Sequence, residues 1–248
     1  MENISLIDAD SIIYYACYSK KDKPVKTLQD IINCTDEYIN DILLKASADV
    51  YCGFLTDGSF RYKIATIKPY KGNRSVIKPT FFNTIKGYLR DQYKFISIKD
   101  YEADDLCIMA HRTFKEKGYN PIIASPDKDL RQIEGKFYDY KTREFDEITQ
   151  EEADRNFWMQ MLTGDTGDNI QGIPGIGEVK GSKILHDDYD KYRKNVVKTY
   201  FDCGYIKDFI ETYNLLKMLD NYDGELYQPE IIYKKDTIKD GIDNLWLR

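Results

Sequence analysis

Four short apolar runs in the first 130 residues each stop at a carboxylate, and this recurrence constrains the fold more than any other feature of the chain. Ile4 to Ile7 ends at Asp8, and Val50 to Leu55 is followed by Thr56, Asp57 and Gly58. Phe95 to Ile98 leads into Glu102-Ala103-Asp104-Asp105, and Pro121 to Ala124 into Ser125-Pro126-Asp127-Lys128-Asp129. Stretches of helical spacing lie between and after the runs: Asp10 to Tyr18, Asp36 to Ala48, Thr80 to about Tyr93, and Glu102 to Lys117. Strands that alternate with helices imply a parallel sheet, because parallel neighbours need helical crossovers. The expected fold class is therefore α/β, a mostly parallel central sheet flanked by helices. A small hairpin is expected from Phe137–Tyr140 and Phe145–Ile148, and from Gln150 onward the pattern is almost wholly helical. This predicts an α/β part over residues 1–160 and a smaller helical part over 161–248.

In an open parallel sheet the carboxyl ends of the strands share one edge, where such folds place their sites. Each acid taken singly has a simpler explanation, since first-turn acids complement a helix dipole and Ser125-Pro126 suits a helix N-terminus. Taken together they do not. Two carboxylates ~4 Å apart repel by about 4 kcal/mol at an effective dielectric near 20, so a ring of them needs bound cations or raised pKa values. With only His111 and His186 available, a metal site must be built mainly from oxygen ligands. That favours magnesium, manganese or calcium over zinc. The cysteines, Cys17, Cys34, Cys52, Cys107 and Cys203, are odd in number and show no C-x-x-C spacing, as expected for reduced core residues in a cytosol. No apolar stretch reaches the roughly 18 residues of a membrane span, and no membrane partner is expected.

The net charge of −6 is unevenly distributed. From Arg61 to Lys99 ten basic residues face a single acid, Asp91, which makes that segment +9 and the remainder −15. Such polarity captures a polyanion at one place, although a solvated basic helix face has the same composition. A second feature is the run Gly164-Asp165-Thr166-Gly167-Asp168 to Gly172-Ile173-Pro174-Gly175-Ile176-Gly177, followed by Lys180 and Lys183. Its glycines allow a tight turn between two short helices with backbone amides free to approach a phosphate. That form grips a nucleic-acid backbone without reading bases. A dinucleotide loop is disfavoured, because no strand precedes it and Pro174 sits inside it.

The ordered set Leu6-Ile7-Asp8, Tyr70-Lys71-Gly72-Asn73-Arg74, Glu102-Ala103-Asp104-Asp105, Ser125-Pro126-Asp127-Lys128-Asp129 and Gly164-Asp165 to Lys180 resembles the 5′-nuclease superfamily. That superfamily has a PIN-like, resolvase-like sheet and includes flap endonucleases, the 5′-nuclease domains of bacterial DNA polymerases and short phage 5′-to-3′ exonucleases. The size of the chain is most similar to the free-standing phage enzymes, which would place it in a host cytoplasm. The resemblance implies a divalent-metal-dependent nuclease cutting DNA at a duplex 5′ end, nick or flap, with an RNA–DNA hybrid as a further substrate, and acting as a monomer. It implies one Mg2+ or Mn2+ among Asp8, Asp57, Glu102 and Asp104 and a second among Asp127, Asp129 and Asp165. Asp104 would lie between them, with Asp105 and Asp168 further out.

By the same resemblance Lys71 and Arg74 approach the scissile phosphate from the base of an arch over about 68–94, and Tyr70 stacks on a terminal base. The stretch over about 164–186 would be a helix-three-turn-helix, with Gly172, Gly175, Gly177, Lys180 and Lys183 on the duplex and K+ on its carbonyls. Two features depart from the pattern. Only 27 residues separate Arg74 from Glu102, room for one helix rather than a long two-helix arch, so threading of a free 5′ strand is not expected and flap cutting is expected to be weak, with the balance of exonucleolytic and flap cutting left open. Asp10, where many relatives carry a neutral residue, is read as an extra outer ligand or, more simply, as the cap of helix one. Tyr14, Tyr15, Phe81, Phe82 and Tyr88 are expected mostly in the core. A non-catalytic structure-specific DNA-binding protein and a PIN-type ribonuclease are the competing readings. The intact carboxylate set counts against the first, since a pure binder gains nothing from repelling phosphate, and the glycine turn counts against the second.

Overall fold

Strand β1 (Asn3–Asp8) is buried along its whole length after Asn3, as a strand covered on both faces must be. The computed structural model describes residues 1–18, 26–74, 77–186, 189–221 and 232–233. Parallel to β1 run β2 (Val50–Phe54) on one side and β3 (Asn120–Ala124) on the other, with Asp8 opposite Phe54 and Ile7 opposite Ala124. β4 (Gly135–Asp139) continues in parallel beside β3, and β5 (Glu144–Ile148) returns antiparallel to it as the expected hairpin. The helices on the two faces are α1 (Asp10–Cys17), α2 (Leu28–Lys45), the single turn α3 (Arg61–Ile64), α4 (Phe82–Tyr93) and α5 (Ala103–Glu116). The α/β fold with a mostly parallel sheet is thus present, and α2 starts at a Thr27–Asp30 capping box, eight residues before the periodicity suggests.

Two sheet expectations are corrected. Phe95 to Ile98 does not form a full third strand; Ile96 bridges Phe54 in parallel, its amide donating to Gly53 O and its carbonyl accepting from the Leu55 amide, both at 2.9 Å, and just beyond it Lys99 bridges Asp57. At Gly53 a Cβ would fall 2.1 Å from the Phe95 ring, so the aromatic packs across the strand beside this short stretch of pairing. The outer edge of β2 is instead met at Val50 and Tyr51 by a two-residue antiparallel strand, Ile232–Tyr233, from the far end of the chain. The short apolar run Ile231-Ile232-Tyr233 lies in the part expected to be almost wholly helical, so the return to the sheet departs from that expectation.

Apolar residues segregate into three clusters. One lies under α1, α2 and α4, one under α5, and a third joins Tyr70 to the helices α6 (Gln150–Thr163), α7 (Glu178–Leu185), α8 (Tyr192–Asp202) and α9 (Phe209–Leu216). The helix of the basic segment, α4, buries Ile85, Leu89 and Tyr93 against α1 and α2, so it lies on the core and does not stand off as an arch. Between α6 and α7 the chain makes a two-stranded ribbon, Gly164–Asp165 with Ile170–Gln171, before the glycine turn, in place of a simple turn between two short helices. Cys52 and Cys107 are buried, Cys203 is exposed, and all five cysteines are free thiols. No helix among the described residues is long and apolar enough to cross a membrane.

Candidate active site

The strand ends and the loops after them enclose a cleft of about 650 Å3 at the carboxyl edge of the sheet. Asp8, Asp10, Asp57, Glu102, Asp104, Asp127 and Asp168 line it, together with Lys71, Arg74, Lys78 and Lys86. Asp8 closes β1, where its Oδ2 accepts a 2.8 Å hydrogen bond from Ser125 Oγ and its Oδ1 one of 3.3 Å from the Asp10 amide. Burial, then the Asp10 and Asp127 carboxylates, push the Asp8 carboxyl up to about 7. Asp57 is exposed on the loop after β2, its backbone tied to Lys99, Asp100 and Tyr101. Asp10 does not cap α1. It is the first helical residue, and its Oδ1 accepts from the Thr56 amide at 3.3 Å, which turns the carboxylate toward the cleft.

Glu102 stands at the N-cap position of α5 but makes no capping bond. Its Oε2 accepts from Ser59 Oγ at 2.9 Å, Arg61 Nη1 at 3.0 Å and Tyr70 Oη at 2.8 Å, while Oε1 pairs with Lys71 Nζ. Glu102, Asp104 and Asp105 offer oxygens within 4.8 Å of one another. Asp105, however, is fully buried with both oxygens on Arg61, at 2.6 and 2.8 Å, so of the three Glu102 and Asp104 are the ones that line the cleft. Burial and the neighbouring Asp105 and Glu102 raise the Asp104 carboxyl well above the usual carboxylate range.

On the other side Asp127 is exposed and its Oδ1 accepts from the Asp129 amide at 2.9 Å. Asp129 and Asp165 lie outside the cleft lining and meet each other, and burial with the charges of Asp127 and Asp165 pushes Asp129 up to about 8. Asp165 Oδ1 also takes the amides of Gly167 and Asp168 at 2.6 and 3.3 Å, so it shapes its own turn. Asp168 pairs with Arg74 Nη2, and its Oδ2 lies 3.7 Å from Lys71 Nζ.

The basic loop is fastened to that same turn. Lys71 adopts a left-handed backbone (φ 53°) and its amide donates to Asp168 O at 2.8 Å; Asn73 Nδ2 donates to Thr166 O at 2.6 Å and Arg74 Nε to Gly167 O at 3.0 Å. A strained φ held by this many bonds fixes where the two cations point. Asp168, 94 residues from Arg74 in sequence, thereby shares a cleft with it.

Tyr70 cannot stack on a base. It is 5% exposed, and its hydroxyl bridges Glu102 and Asp168. The aromatic that faces the cleft there is Tyr62, 57% exposed and edge-on to Tyr70 at 5.3 Å. Phe82 is buried, while Tyr14, Tyr15, Phe81 and Tyr88 pack partly buried on the first cluster, so the core expectation holds for them; Tyr14 and Phe82 also reach the cleft wall. Neither histidine lines the cleft. In the glycine turn, Gly172 packs against Gly164, Gly175 adopts φ +79°, and Gly177 is the N-cap of α7 with open space around its Cα. Lys180 Nζ donates to Gly175 O at 2.8 Å, and Lys180 and Lys183 are both exposed.

Residues 3–158 match the family of the 5′-3′ exonuclease, N-terminal resolvase-like domain. This chain belongs to that family. A 5′-3′ exonuclease of Mycoplasmopsis pulmonis is 27% identical over 257 aligned residues, covering 93% of this chain and 80% of that protein. A 5′-3′ exonuclease of Aquifex aeolicus is 29% identical over 160 residues, covering 58% of this chain and only 54% of that protein, so the match spans about half its length. The structure of a bacteriophage T5 flap endonuclease variant in a pseudo-enzyme-product complex with DNA and metal ions superposes with a TM-score of 0.57 at 17% identity. That comparison covers 86% of this chain and all of the T5 one, and it shows a common fold.

Sequence reasoning misses Arg61, Ser59, Tyr62, Ser125, Lys78 and Lys86. Arg61 reads as one more cation of the solvated basic segment, although Asp57-Gly58-Ser59-Phe60-Arg61 continues directly from a strand-end acid, the one signal that marks it.

Proposed function

We propose that the chain is a divalent-metal-dependent nuclease that hydrolyses DNA phosphodiester bonds from 5′ ends, nicks or flaps in the 5′-to-3′ direction. The observation that carries this reading is one cleft in which buried, mutually repelling carboxylates face the cations Lys71 and Arg74. The donor set fits Mg2+ or Mn2+: all oxygen, several of them held up in pKa by burial and by one another, and therefore relieved by a divalent charge. Asp8, Asp57, Glu102 and Asp104 would hold one ion, and Asp127, Asp129 and Asp165 the other, with Asp105 and Asp168 acting through Arg61 and through Lys71 and Arg74.

When bound, the two ions supply Lewis-acid activation of water and neutralise charge on the phosphoryl oxygens. The chain itself supplies the cations. Lys71 is held protonated above its usual pKa by Glu102 and Asp168 despite burial, and Arg74 likewise. An entering phosphate takes these cations over from the carboxylates, and they then face the negative charge that grows in the transition state. Because α4 lies on the core, the basic segment suits short 5′ ends better than a long threaded flap. The amides at Gly172, Gly175 and Gly177 with Lys180 and Lys183 would hold the duplex, in the manner of a helix-three-turn-helix with K+ on its carbonyls.

The test is magnesium-dependent digestion of 5′-labelled blunt, nicked and flapped duplexes with EDTA as control. Mononucleotide release from blunt and nicked ends is expected, and Asp127→Ala and Asp165→Ala should abolish it while duplex binding is retained. Unchanged turnover in both variants would sink the metal assignment.

A further inference from the structure

We propose that Arg61 is a positioning residue of the carboxylate edge: its buried guanidinium sorts three neighbouring acids into different roles and ties their geometry to the end of α9 and the residues that follow it. The proposal rests on the reading of that edge as the metal-holding site. Arg61 is 1% exposed and every nitrogen of its side chain is engaged. Nη1 reaches Glu102 Oε2 at 3.0 Å and Asp105 Oδ2 at 2.6 Å, and Nη2 reaches Asp105 Oδ1 at 2.8 Å. Nε donates to Leu215 O at 2.9 Å and Nη2 to Lys217 O at 3.1 Å.

The consequence for the acids follows from counting donors. Asp105 is wholly consumed: both oxygens take the guanidinium fork, and Oδ1 also takes the Leu219 amide at 3.0 Å. Glu102 is half consumed. Its Oε2 carries three donors and is saturated, while Oε1 is left with Lys71, a side chain that phosphate draws away. Asp104, between Glu102 and Asp105, feels the Arg61 charge without a hydrogen bond to it and lines the cleft. One guanidinium thus leaves one oxygen of Glu102 and, since Asp104 Oδ1 takes the Asp105 amide at 2.7 Å, chiefly Oδ2 of Asp104 to face the cleft, out of three acids in four residues.

Stability alone is a poor account of such a group, because buried ion pairs are commonly no better than apolar side chains of the same volume. What an apolar replacement cannot do is hold Oε2 of Glu102 in place. Outer hydrogen bonds of this kind orient metal ligands, and their loss typically lowers metal affinity 10–100-fold. Arg61 also satisfies two backbone carbonyls in the stretch Leu215 to Leu219, and Asp105 an amide in it, so the placement of that stretch and of Glu102 are parts of one network. Linkage then requires that metal binding stabilise Leu215 to Leu219 and the reverse.

The experiment is a Mn2+ titration of the DNA-free protein, read by loss of the free-ion EPR signal, with hydrogen exchange of the 215–219 amides measured with and without Mn2+. Wild type, Arg61→Lys and Ser59→Ala are compared below their melting temperatures. Arg61→Lys is expected to need about tenfold or more Mn2+ for half-saturation, and Ser59→Ala, which removes one donor from Oε2, a few-fold more. Mn2+ should slow exchange at 215–219 in wild type and fail to do so in Arg61→Lys. Wild-type affinity and wild-type protection in the folded variants would overturn the proposal. If Arg61→Lys does not fold, Ser59→Ala decides it alone: unchanged affinity overturns it. A wild type that binds no Mn2+ removes the metal reading and this inference together, whereas a wild type and variants that bind alike remove only the inference.

Discussion

The Tyr70 hydroxyl lies 2.8 Å from Glu102 Oε2 and 2.8 Å from Asp168 Oδ2, one O–H between two carboxylates from distant segments of the chain. A phenol has a single proton to donate, so the two carboxylates share it, and the cations Lys71 and Arg74 lie against the same pair. Burial pushes the Asp168 carboxyl up against the pull of Lys71 and Arg74, whereas at Glu102 burial is outweighed by Lys71 and Arg61 and the carboxyl is held down. Tyr70 is thus the donor at the junction of the two acids, with Lys71 and Arg74 beside Asp168 and Arg61 beside Glu102 offsetting their mutual repulsion.

Replacing Tyr70 by Phe leaves the two carboxylates without their shared partner while keeping the ring against Tyr62. Removing one member of a buried hydrogen-bonded set costs about 1–3 kcal/mol. Thermal unfolding in EDTA should show that loss, and cleavage of a nicked duplex should fall about tenfold or more through misplacement of Glu102 and Lys71. A variant as stable and as active as wild type would remove the bridge from the mechanism.

The raised carboxyls set a pH dependence whose sign follows from linkage. Asp8 rises to about 7 and Asp129 to about 8 from an ordinary 3.8, so in the metal-free protein both bind protons more tightly folded than unfolded. Their stabilisation is fully present below about pH 4 and is lost as pH rises through 7 and 8. His111, buried and held down at about 4, acts in the opposite sense, but its contribution is complete above about pH 6.5. Between about pH 7 and pH 8.5 the melting temperature in EDTA should therefore fall, and Mg2+ should flatten that slope by taking the place of the protons. Calorimetry in two buffers of different ionisation enthalpy should also show proton release on metal binding, and less of it at higher pH.

The strand-end acids made the sheet and its functional edge legible, because apolar runs with a two-sided covering and helical spacers admit little besides a parallel sheet. Which acid does what was not legible. Glu102, Asp104 and Asp105 look equivalent in sequence, and only the arrival of Arg61, 41 residues before Glu102, separates them. Tyr70 misleads for the same reason: an aromatic beside Lys71 reads as a stacking residue until its hydroxyl is seen to be occupied. Phe95 to Ile98 has every local mark of a strand, yet its pairing stops at the Ile96 bridge, and Phe95 packs over Gly53, a contact between segments distant in sequence. The return of Ile232–Tyr233 to the sheet edge is similarly non-local.

Two glycines predict opposite outcomes for the same substitution. At Gly172 a Cβ would sit 2.3 Å from Gly164 N and from Thr163 C, backbone atoms that cannot yield without opening the ribbon that carries Asp165 and leads to Asp168. At Gly87, inside α4, a Cβ meets nothing within 4 Å. Gly172→Ala should cost about 3 kcal/mol or more and abolish cleavage, while Gly87→Ala should add about 0.5–1 kcal/mol through helix propensity and leave cleavage intact. Paired denaturant titrations decide both.

Lys180 and Lys183 lie on the exposed face of α7, with Lys180 folded back onto Gly175 O at 2.8 Å. If the glycine turn holds a phosphate backbone, each lysine contributes charge without reading sequence. Each lysine-to-alanine change should then weaken duplex binding uniformly across sequences and reduce the slope of log affinity against log salt by about 1. The double variant should lose about 2 from that slope, as additivity requires for separate phosphate contacts. Lys180 differs from Lys183 in one respect: freeing Gly175 O also loosens the turn, so Lys180→Ala should lower affinity more than its change in slope accounts for. Fluorescence anisotropy on labelled nicked and intact duplexes at several salt concentrations, in Ca2+ to prevent cleavage, separates the two effects. Slopes identical to wild type in both variants would place the duplex elsewhere on the protein.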